Sequence, residues 1–246
     1  MTAVPLAGVT GSELIALKPA GLACEVPRDP SAPSLMRRLA AAGHAGLRRV
    51  HRLDRPACGL VLLARSKEAA AFHSSEIQAR RWRKLYVARV AARTAPAHLV
   101  GPHKAHLRTV GRTATVVRSG GRPALLDVLG VSPVPGRAGE HHVLVLLHTG
   151  RFHQIRAMLA HLGVPLAGDA PYGGGTEAPM YLEHVVLACR SHADGAWRVW
   201  RAAEHPDRDP WAPTLSDAVG AQAARFAASA PGDAPPAPEG AHADGG

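Results

Sequence analysis

The chain has 246 residues, of which 46% are hydrophobic, 20% charged and 4% aromatic, a length that suits one large domain or two small ones sharing a core. It contains no apolar run of about 18 residues and no basic-then-apolar N-terminal pattern, so we expect a cytoplasmic protein that contacts no membrane. Three cysteines, Cys24, Cys58 and Cys189, are too far apart in sequence to favour a disulfide scaffold or a cysteine-built metal site.

Charge is distributed unevenly along the chain. The formal net charge is +10, but residues 204–246 hold seven acids and two arginines, so residues 1–203 carry a net charge of +15. Such a surplus on a folded body is typical of a protein that binds a polyanion, and nucleic acid is the commonest one. Of the 29 basic residues 25 are arginine, which suits bidentate phosphate contacts. A GC-rich genome would also raise the arginine content, but it would not account for the net charge.

Apolar runs bounded by Gly and Pro predict strands, in chain order at residues 14–17, 60–64, 85–90, 113–117, 125–131, 143–147 and 185–188. Helical spacing predicts a helix over 67–80, capped by Ser66, and another over 152–162, ended by Gly163 and Pro165. Strands outnumber helices and do not alternate regularly with them. We therefore predict an α+β fold, with a mixed, largely antiparallel sheet and flanking helices.

The composition changes near residue 216 to mostly Ala, Pro, Gly and Asp. A segment of this kind buries too little apolar surface to become ordered. We predict one folded domain over residues 1–215 and a disordered tail over residues 216–246, with at most a short helix near residues 221–228.

Asp54 stands alone among four arginines and His51, in the sequence Arg-Arg-Val-His-Arg-Leu-Asp-Arg-Pro over residues 48–56. This segment leads into the strand predicted at 60–64. Nearby positive charge would keep the carboxylate ionised, as a nucleophile or an electrostatic stabiliser requires. The alternative is that Asp54 only neutralises a basic loop.

A second polar segment, residues 148–156, begins the helix predicted at 152–162 and contains Arg151, His153 and Arg156. Cations are disfavoured near a helix N-terminus, so these groups require an anion, either a carboxylate of the protein or a phosphate. The alternative is that Arg156 only packs its aliphatic stem and reaches water.

The third segment, residues 80–90, is a basic run that enters an alternating strand. Alternation puts Tyr86 and Ala88 on one side of the strand and Leu85 and Val87 on the other. An aromatic side chain among bases suits stacking on an exposed nucleobase, although Tyr86 could equally be an ordinary half-buried strand residue. The fifteen histidines lie in no recognisable ligand motif, so we predict no metal site.

In this order the three segments resemble the RNA pseudouridine synthases, specifically the family with the motif His-Arg-Leu-Asp that is typified by ribosomal large-subunit uridine enzymes. The resemblance extends over roughly residues 12–200. It is carried by His51–Arg55, Lys84–Ala88, Gly150–Arg156 with its continuation to Gly168-Asp169, and Leu182–His184. It implies a catalytic domain over residues 1–215 with a central RNA-binding cleft.

The resemblance implies that Asp54 is the catalytic aspartate, that Tyr86 stacks on the target uracil and that Arg156 forms an ion pair with Asp54. It also implies isomerisation of specific uridines in ribosomal or transfer RNA by a monomer that needs no cofactor. Arg52 would grip phosphate or fill the space of the displaced base, and Leu182 would form an apolar wall. The other expected substrate-binding residues are His51, Arg55, Arg151, His153 and Gln154.

The sequence departs from the family pattern at Phe152, where Thr or Ser is usual. The alternative function is that of a noncatalytic RNA-binding protein on the same fold. An inactive relative should have lost Asp54, Tyr86 or Arg156, and all three are present.

Overall fold

The computed structural model describes residues 3–25, 29, 32–203 and 208–228. Within these ranges the chain forms four helices: α1 (Leu35–Ala41), α2 (Lys67–Gln78), α3 (Gln154–His161) and α4 (Pro213–Ala228). It also forms eleven strands: β1 (Leu6–Val9), β2 (Glu13–Lys18), β3 (Arg48–Arg49), β4 (Cys58–Ala64), β5 (Arg83–Ala91), β6 (Gly101–Val110), β7 (Thr113–Val117), β8 (Arg122–Pro133), β9 (Glu140–Leu147), β10 (Leu182–Arg190) and β11 (Trp197–Arg201). None of these helices is long and apolar enough to cross a membrane.

All described strands belong to one sheet, whose main path has the order β1-β2-β4-β10-β5-β9-β8-β6-β7, with β3 paired to β4 and β11 to β10. Only β4 and β10 run parallel, and every other pair is antiparallel. The predicted α+β class with a mixed, largely antiparallel sheet is therefore confirmed.

Strands at the centre of the sheet are buried along almost their whole length, as in β2, β4 and β10. Because both faces of these strands are covered, their sequences are continuous apolar runs, which is the signal that predicted them. β5 divides its side chains between two cores: Tyr86 and Ala88 enter the larger one, and Leu85 and Val87 enter a second one on the opposite face. The predicted alternation of β5 is confirmed.

β6 was not predicted, since Gly101–Val110 contains no apolar run. Its exposed and half-buried residues alternate, and Leu107 is its buried core residue. The strand forms because its backbone pairs with β7 on one side and β8 on the other.

The helix boundaries follow local capping. Ser66 accepts a hydrogen bond from the Ala69 N–H at 3.1 Å, which confirms the predicted start of α2. α3 begins two residues later than predicted, because His153 adopts a left-handed backbone conformation with φ 52°. Arg151 and Phe152 consequently lie in the loop that precedes the helix.

The prediction of a disordered tail from residue 216, with at most a short helix near residues 221–228, is wrong for residues 216–220, because α4 covers residues 213–228. This helix buries Leu215, Val219, Ala223 and Phe226 against the second core, at a period that fits one helical face. The Ala-rich composition suggested too little apolar surface for a stable helix. Four apolar side chains on one face are enough to stabilise α4, because the sheet covers that face. Residues 229–246 of the predicted tail lie outside the described residues.

Candidate active site

A cavity of about 390 Å³ brings the three predicted segments together. Residues 49–54 form one wall, Lys84 and Tyr86 of β5 contribute another, and residues 150–156 close it with Leu182 of β10. The loop that carries Asp54 joins β3 to β4, and β4 is placed beside β10 by the parallel pair Gly59–His184. Gly59 has φ 103°, and a side chain there would overlap the His184 backbone, so this close approach requires glycine.

Asp54 and Arg156 are in contact across the cavity. Nη1 of Arg156 donates to Oδ2 of Asp54 at 3.2 Å, with side-chain exposures of 6% and 16%. Arginines of the Asp54 segment turn elsewhere: Arg49 and Arg52 both pair with Glu25, at 2.7 and 2.9 Å. The interpretation that Asp54 merely neutralises its own basic loop is therefore wrong, because its charge partner comes from α3.

Arg156 is held from its other side by Asp169. Nε and Nη2 of Arg156 donate to the two carboxylate oxygens of Asp169, both at 2.7 Å, in a two-pronged ion pair that is almost fully buried. Burial alone would lower the pKa of Arg156, but the hydrogen bonds and negative charges of Asp169 and Asp54 outweigh it and raise that pKa. The guanidinium is therefore permanently charged and fixed in orientation.

His153 belongs to the same network and is fixed as one tautomer. Its Nε2 lies 2.9 Å from Nη1 of Arg156, which can only donate, so Nε2 accepts. Nδ1 then carries the proton and donates to Oη of Tyr172 at 3.0 Å. Burial lowers the pKa of His153, which favours this neutral form. The histidine therefore helps to orient Arg156, and its Nε2 lies 3.7 Å from Oδ2 of Asp54.

The backbone of the Asp54 loop is held by Lys18, the last residue of β2, and by Cys24, which follows that strand. Sγ of Cys24 accepts from the Leu53 N–H and donates to the Leu53 carbonyl, both at 3.4 Å. Nζ of the buried Lys18 donates to the carbonyls of Leu22 and Arg55, at 2.8 and 3.1 Å. These contacts hold the backbone on both sides of Asp54.

Tyr86 lines the cavity, and its ring is supported from behind by the ring of His184. Its ring stacks on His184, its cross-strand partner in β10, with centroids 4.5 Å apart and planes 11° from parallel. Burial, with the nearby charge of Asp54, raises the pKa of Tyr86, so its hydroxyl stays protonated. Burial lowers the pKa of His184 to about 3, and its Nδ1–H donates to the Leu60 carbonyl at 2.7 Å. Leu182 lies two residues before His184 on the same strand and is also buried at the cavity.

Two predicted substrate-binding residues have their polar atoms occupied by the backbone. Nε2 of His51 accepts from the Leu62 N–H at 2.8 Å, and burial lowers the pKa of His51 well below its usual range. The Gln154 side chain accepts from Arg151 N–H at 3.0 Å and donates to the Leu125 carbonyl at 3.0 Å. Both side chains border the cavity, but these bonds give them a scaffolding role.

The three predicted arginines differ in position. Arg52 and Arg151 border the cavity, and Nε of Arg151 donates to the Pro123 carbonyl at 2.9 Å. Arg55 lies outside the cavity lining, and its Nε donates to the Gly21 carbonyl at 2.9 Å. The structure thus favours Arg52 and Arg151 over Arg55 as groups that reach a ligand in the cavity.

Sequence reasoning did not assign a role to Asp169 or Lys84. Asp169 was visible only as part of a longer motif, and nothing local links it to Arg156, which lies thirteen residues earlier. Lys84 is a buried lysine on the same strand face as Tyr86, and burial lowers its pKa to about 8. A lysine immediately before a buried strand segment was the available signal. Among the described residues, no group of three or more His, Cys, Asp or Glu could hold a metal ion.

The model of the RNA pseudouridylate synthase family matches residues 13–161. The chain therefore belongs to the RNA pseudouridylate synthase family, as the sequence resemblance predicted. An uncharacterized RNA pseudouridine synthase of Chloroflexus aurantiacus is 38% identical over 170 residues, which are 63% of this chain and 50% of that protein. A ribosomal large subunit pseudouridine synthase D of Pseudomonas aeruginosa is 36% identical over 132 residues, covering 53% of this chain and 39% of that protein.

The chain thus spans half or less of the length of these two curated relatives. Among solved structures, human RNA pseudouridylate synthase domain containing 1 is similar with a TM-score of 0.66 and 21% sequence identity, over 89% of this chain and 95% of that one. Human RNA pseudouridylate synthase domain containing 4 gives a TM-score of 0.63 at 18% identity, over 82% and 88%. At these sequence identities, the two similarities show only that the fold is shared.

Proposed function

We propose that this protein converts uridine to pseudouridine in RNA and that Asp54, Tyr86 and Arg156 carry the reaction. The observation that supports this most strongly is the Asp54–Arg156 contact at 3.2 Å inside a cavity bordered by Tyr86, Leu182 and Lys84. An ionised acid is thereby held beside an aromatic ring and an apolar wall, which together suit a flat base next to its sugar.

The reaction breaks the bond between the anomeric carbon of ribose and nitrogen 1 of uracil. The base turns, carbon 5 bonds to the anomeric carbon and loses its proton, and nitrogen 1 gains one, so the product is an isomer. Asp54 either attacks the anomeric carbon, forming an ester bond that breaks when carbon 5 bonds to that carbon, or removes a proton from carbon 2 of the sugar and returns it there when the new bond forms. Electrons from the broken bond move onto the uracil, where the ammonium of Lys84 stabilises the developing negative charge.

The target base has to leave its stack before it reaches the cavity, at a cost of a few kcal/mol. Stacking on Tyr86 returns about 1–3 kcal/mol of that cost. Arg52, which pairs with Glu25 and borders the cavity, contacts phosphate or fills the space left by the base. The net charge of +15 over residues 1–203 supplies the general attraction for the RNA backbone.

We infer that the substrate is ribosomal or transfer RNA, with ribosomal RNA favoured by the relative from Pseudomonas aeruginosa, which is named for the large ribosomal subunit. We further propose a cytoplasmic monomer in which residues 3–228 form the catalytic domain. The three cysteines are buried thiols, which suits a reducing compartment.

Asp54→Asn tests this proposal, because it keeps the size of the side chain and removes its charge. When the variant is incubated with ribosomal RNA from a strain that lacks the gene, we expect it to form no detectable new pseudouridine. Its affinity for RNA should stay near that of the wild type. Release of tritium from carbon 5 of labelled uridine measures turnover, and filter binding measures affinity. Asp127→Asn is the matched control, since Asp127 pairs with His148 at 2.8 Å outside the cavity lining. Wild-type turnover by Asp54→Asn would refute the assignment.

The competing function is RNA binding without catalysis. It predicts that wild-type protein binds RNA yet releases no tritium from any RNA of the deletion strain. The intact set of Asp54, Tyr86, Arg156 and Asp169, with its hydrogen bonds, favours the enzyme, because binding alone does not need a half-buried carboxylate in contact with a fixed arginine.

A further inference from the structure

A second cavity, of about 490 Å³, adjoins the active-site cavity. Its walls come from β6, from the start of β7, from the turn before β8 and from residues 150–152. Gly150, Arg151 and Phe152 border both cavities. A chain-like ligand whose target unit occupies the first cavity can therefore continue directly into the second.

The second cavity is cationic. Arg108, Arg122 and Arg151 line it, and no acidic side chain does. Arg108 and Arg122 are exposed, and neither forms an ion pair with an acid in the part of the chain that the structure describes. A cavity lined by guanidinium-bearing residues without a carboxylate favours an anionic ligand, and a phosphodiester matches their planar donors.

Phe152 gives the second cavity an aromatic surface. Its ring is half-buried and stacks on His153, with centroids 3.8 Å apart and planes at 22°. Nε2 of His153 lies 2.9 Å from Nη1 of Arg156, the atom that contacts Asp54. A group stacked on the uncovered part of the Phe152 ring would thus lie next to the reacting centre.

We propose that the second cavity binds the nucleotide next to the target uridine, with its base stacked on Phe152 and its phosphate held by Arg108 and Arg122. The inference rests on the proposed function and makes Phe152 a determinant of RNA affinity. Each base has a π-face, so the site responds to the presence of a neighbouring base more than to its identity.

The test uses a short RNA centred on a uridine that the wild-type enzyme modifies, made in three forms. One form is complete, and the others lack the base on the 5′ or on the 3′ side of the target. For the wild type, we expect one abasic form to bind about tenfold more weakly than the complete RNA, the scale of one base–aromatic stack. Phe152→Leu should bind the complete RNA about tenfold more weakly and show no further loss on that abasic form.

Phe72→Leu is the matched control, because Phe72 also packs on histidine rings but lies outside both cavities. This variant should respond to the abasic RNAs as the wild type does. Arg108→Ala with Arg122→Ala should lower the slope of log affinity against log salt by about one per arginine, whereas Arg190→Ala, at the end of β10, should leave it unchanged.

Equal affinity of the wild type for all three RNAs would overturn the inference. It would also be overturned if Phe152→Leu lost further affinity on the abasic RNA, so that the two losses of binding free energy were additive. A salt effect of the two arginines without any base effect would also overturn it and would reduce the cavity to a phosphate contact. These outcomes are read by filter binding. Failure of the proposed function is distinct, since it would appear as absent tritium release with every RNA.

Discussion

Asp169 binds Arg156 through two N–H···O contacts of 2.7 Å, whereas Arg156 reaches Asp54 through a single contact of 3.2 Å. The stronger ion pair is thus made with the carboxylate that lies deeper, at 1% side-chain exposure. Asp169 fixes the guanidinium, and the remaining nitrogen is presented to Asp54. Asp169 is therefore a positioning residue for the pair to which we assign catalysis.

Arg156→Lys and Asp169→Asn should both reduce the single-turnover rate by at least about tenfold, or roughly 1.4 kcal/mol in the barrier. Lysine keeps the charge but loses the planar two-pronged geometry, and asparagine cannot accept both hydrogen bonds as a carboxylate does. RNA affinity, measured by filter binding, should change much less. A wild-type single-turnover rate in a folded Asp169→Asn protein would show that the orientation of Arg156 does not matter.

We expect deprotonation of Lys84 to limit activity at alkaline pH. Burial lowers the pKa of Lys84 to about 8, so its ammonium is lost as the pH rises through that value. The neighbouring His51 and His184 have pKa values well below this range and do not titrate there. We expect the single-turnover rate to fall above about pH 8 in the wild type and to stay level in Lys84→Arg, whose side chain remains charged.

Lys104→Met, on an exposed residue of β6, is the control for this experiment and should keep the wild-type pH profile. A wild-type rate that is constant through about pH 9 would contradict a catalytic role for the ammonium of Lys84.

We expect protonation of Glu13 to lower the free energy of unfolding in acid. Burial would raise the pKa of Glu13, but hydrogen bonds from His73, Thr10, Ser191 and the His192 N–H outweigh it and lower that pKa to about 2. Because the folded-state pKa lies below the unfolded value of about 4.3, this stabilisation is complete above that value and is lost as the pH falls towards 2.

Its size is on the order of 3 kcal/mol, the free energy that corresponds to the pKa difference. Glu13→Gln should lower the free energy of unfolding by a similar amount at neutral pH and flatten its dependence on pH below about 5. Urea denaturation at a series of pH values measures both effects. Glu68→Gln, at the exposed start of α2, should change the stability little, and equal effects of the two variants would refute this account.

We expect truncation of the chain at residue 216, which removes most of α4, to destabilise the fold. A chain ending at Ser216 loses Val219, Ala223 and Phe226 from the second core, together with the hydrogen bond from Nε1 of Trp197 to the Phe226 carbonyl at 2.7 Å. Phe226→Ala alone should cost about 3–5 kcal/mol, which lowers Tm by about 10 °C in a chain of this size.

Thermal melting of Phe226→Ala, of Asp217→Ala and of chains ending at Ser216 or at Ala228 provides the comparison. Asp217 is exposed on the same helix, and the longer truncation keeps all of α4. A chain ending at Ser216 that melts with the wild type would show that α4 contributes no stability.

Local patterns were sufficient for most of the central sheet and for the two best-defined helices. Leu60–Ala64 is an apolar run because β4 is buried on both faces, and Ser66 caps α2 through a bond made within three residues. The alternation of Tyr86 with Leu85 follows from strand geometry alone. β6 and the first part of α4 were missed because their stability comes from strand pairing and packing with distant parts of the chain.

The sequence by itself determined which residue types were available for chemistry: one aspartate in a basic loop, one tyrosine in a strand and one arginine needing an anion. Only the tertiary structure decided their partners. Asp54 and Arg156 are 102 residues apart, and Asp54 pairs with that arginine while Arg52 beside it pairs with Glu25. Hydrophobic period and capping are local properties, whereas the order of strands in the sheet sets which loops meet, and that order is fixed by contacts between residues far apart in the chain.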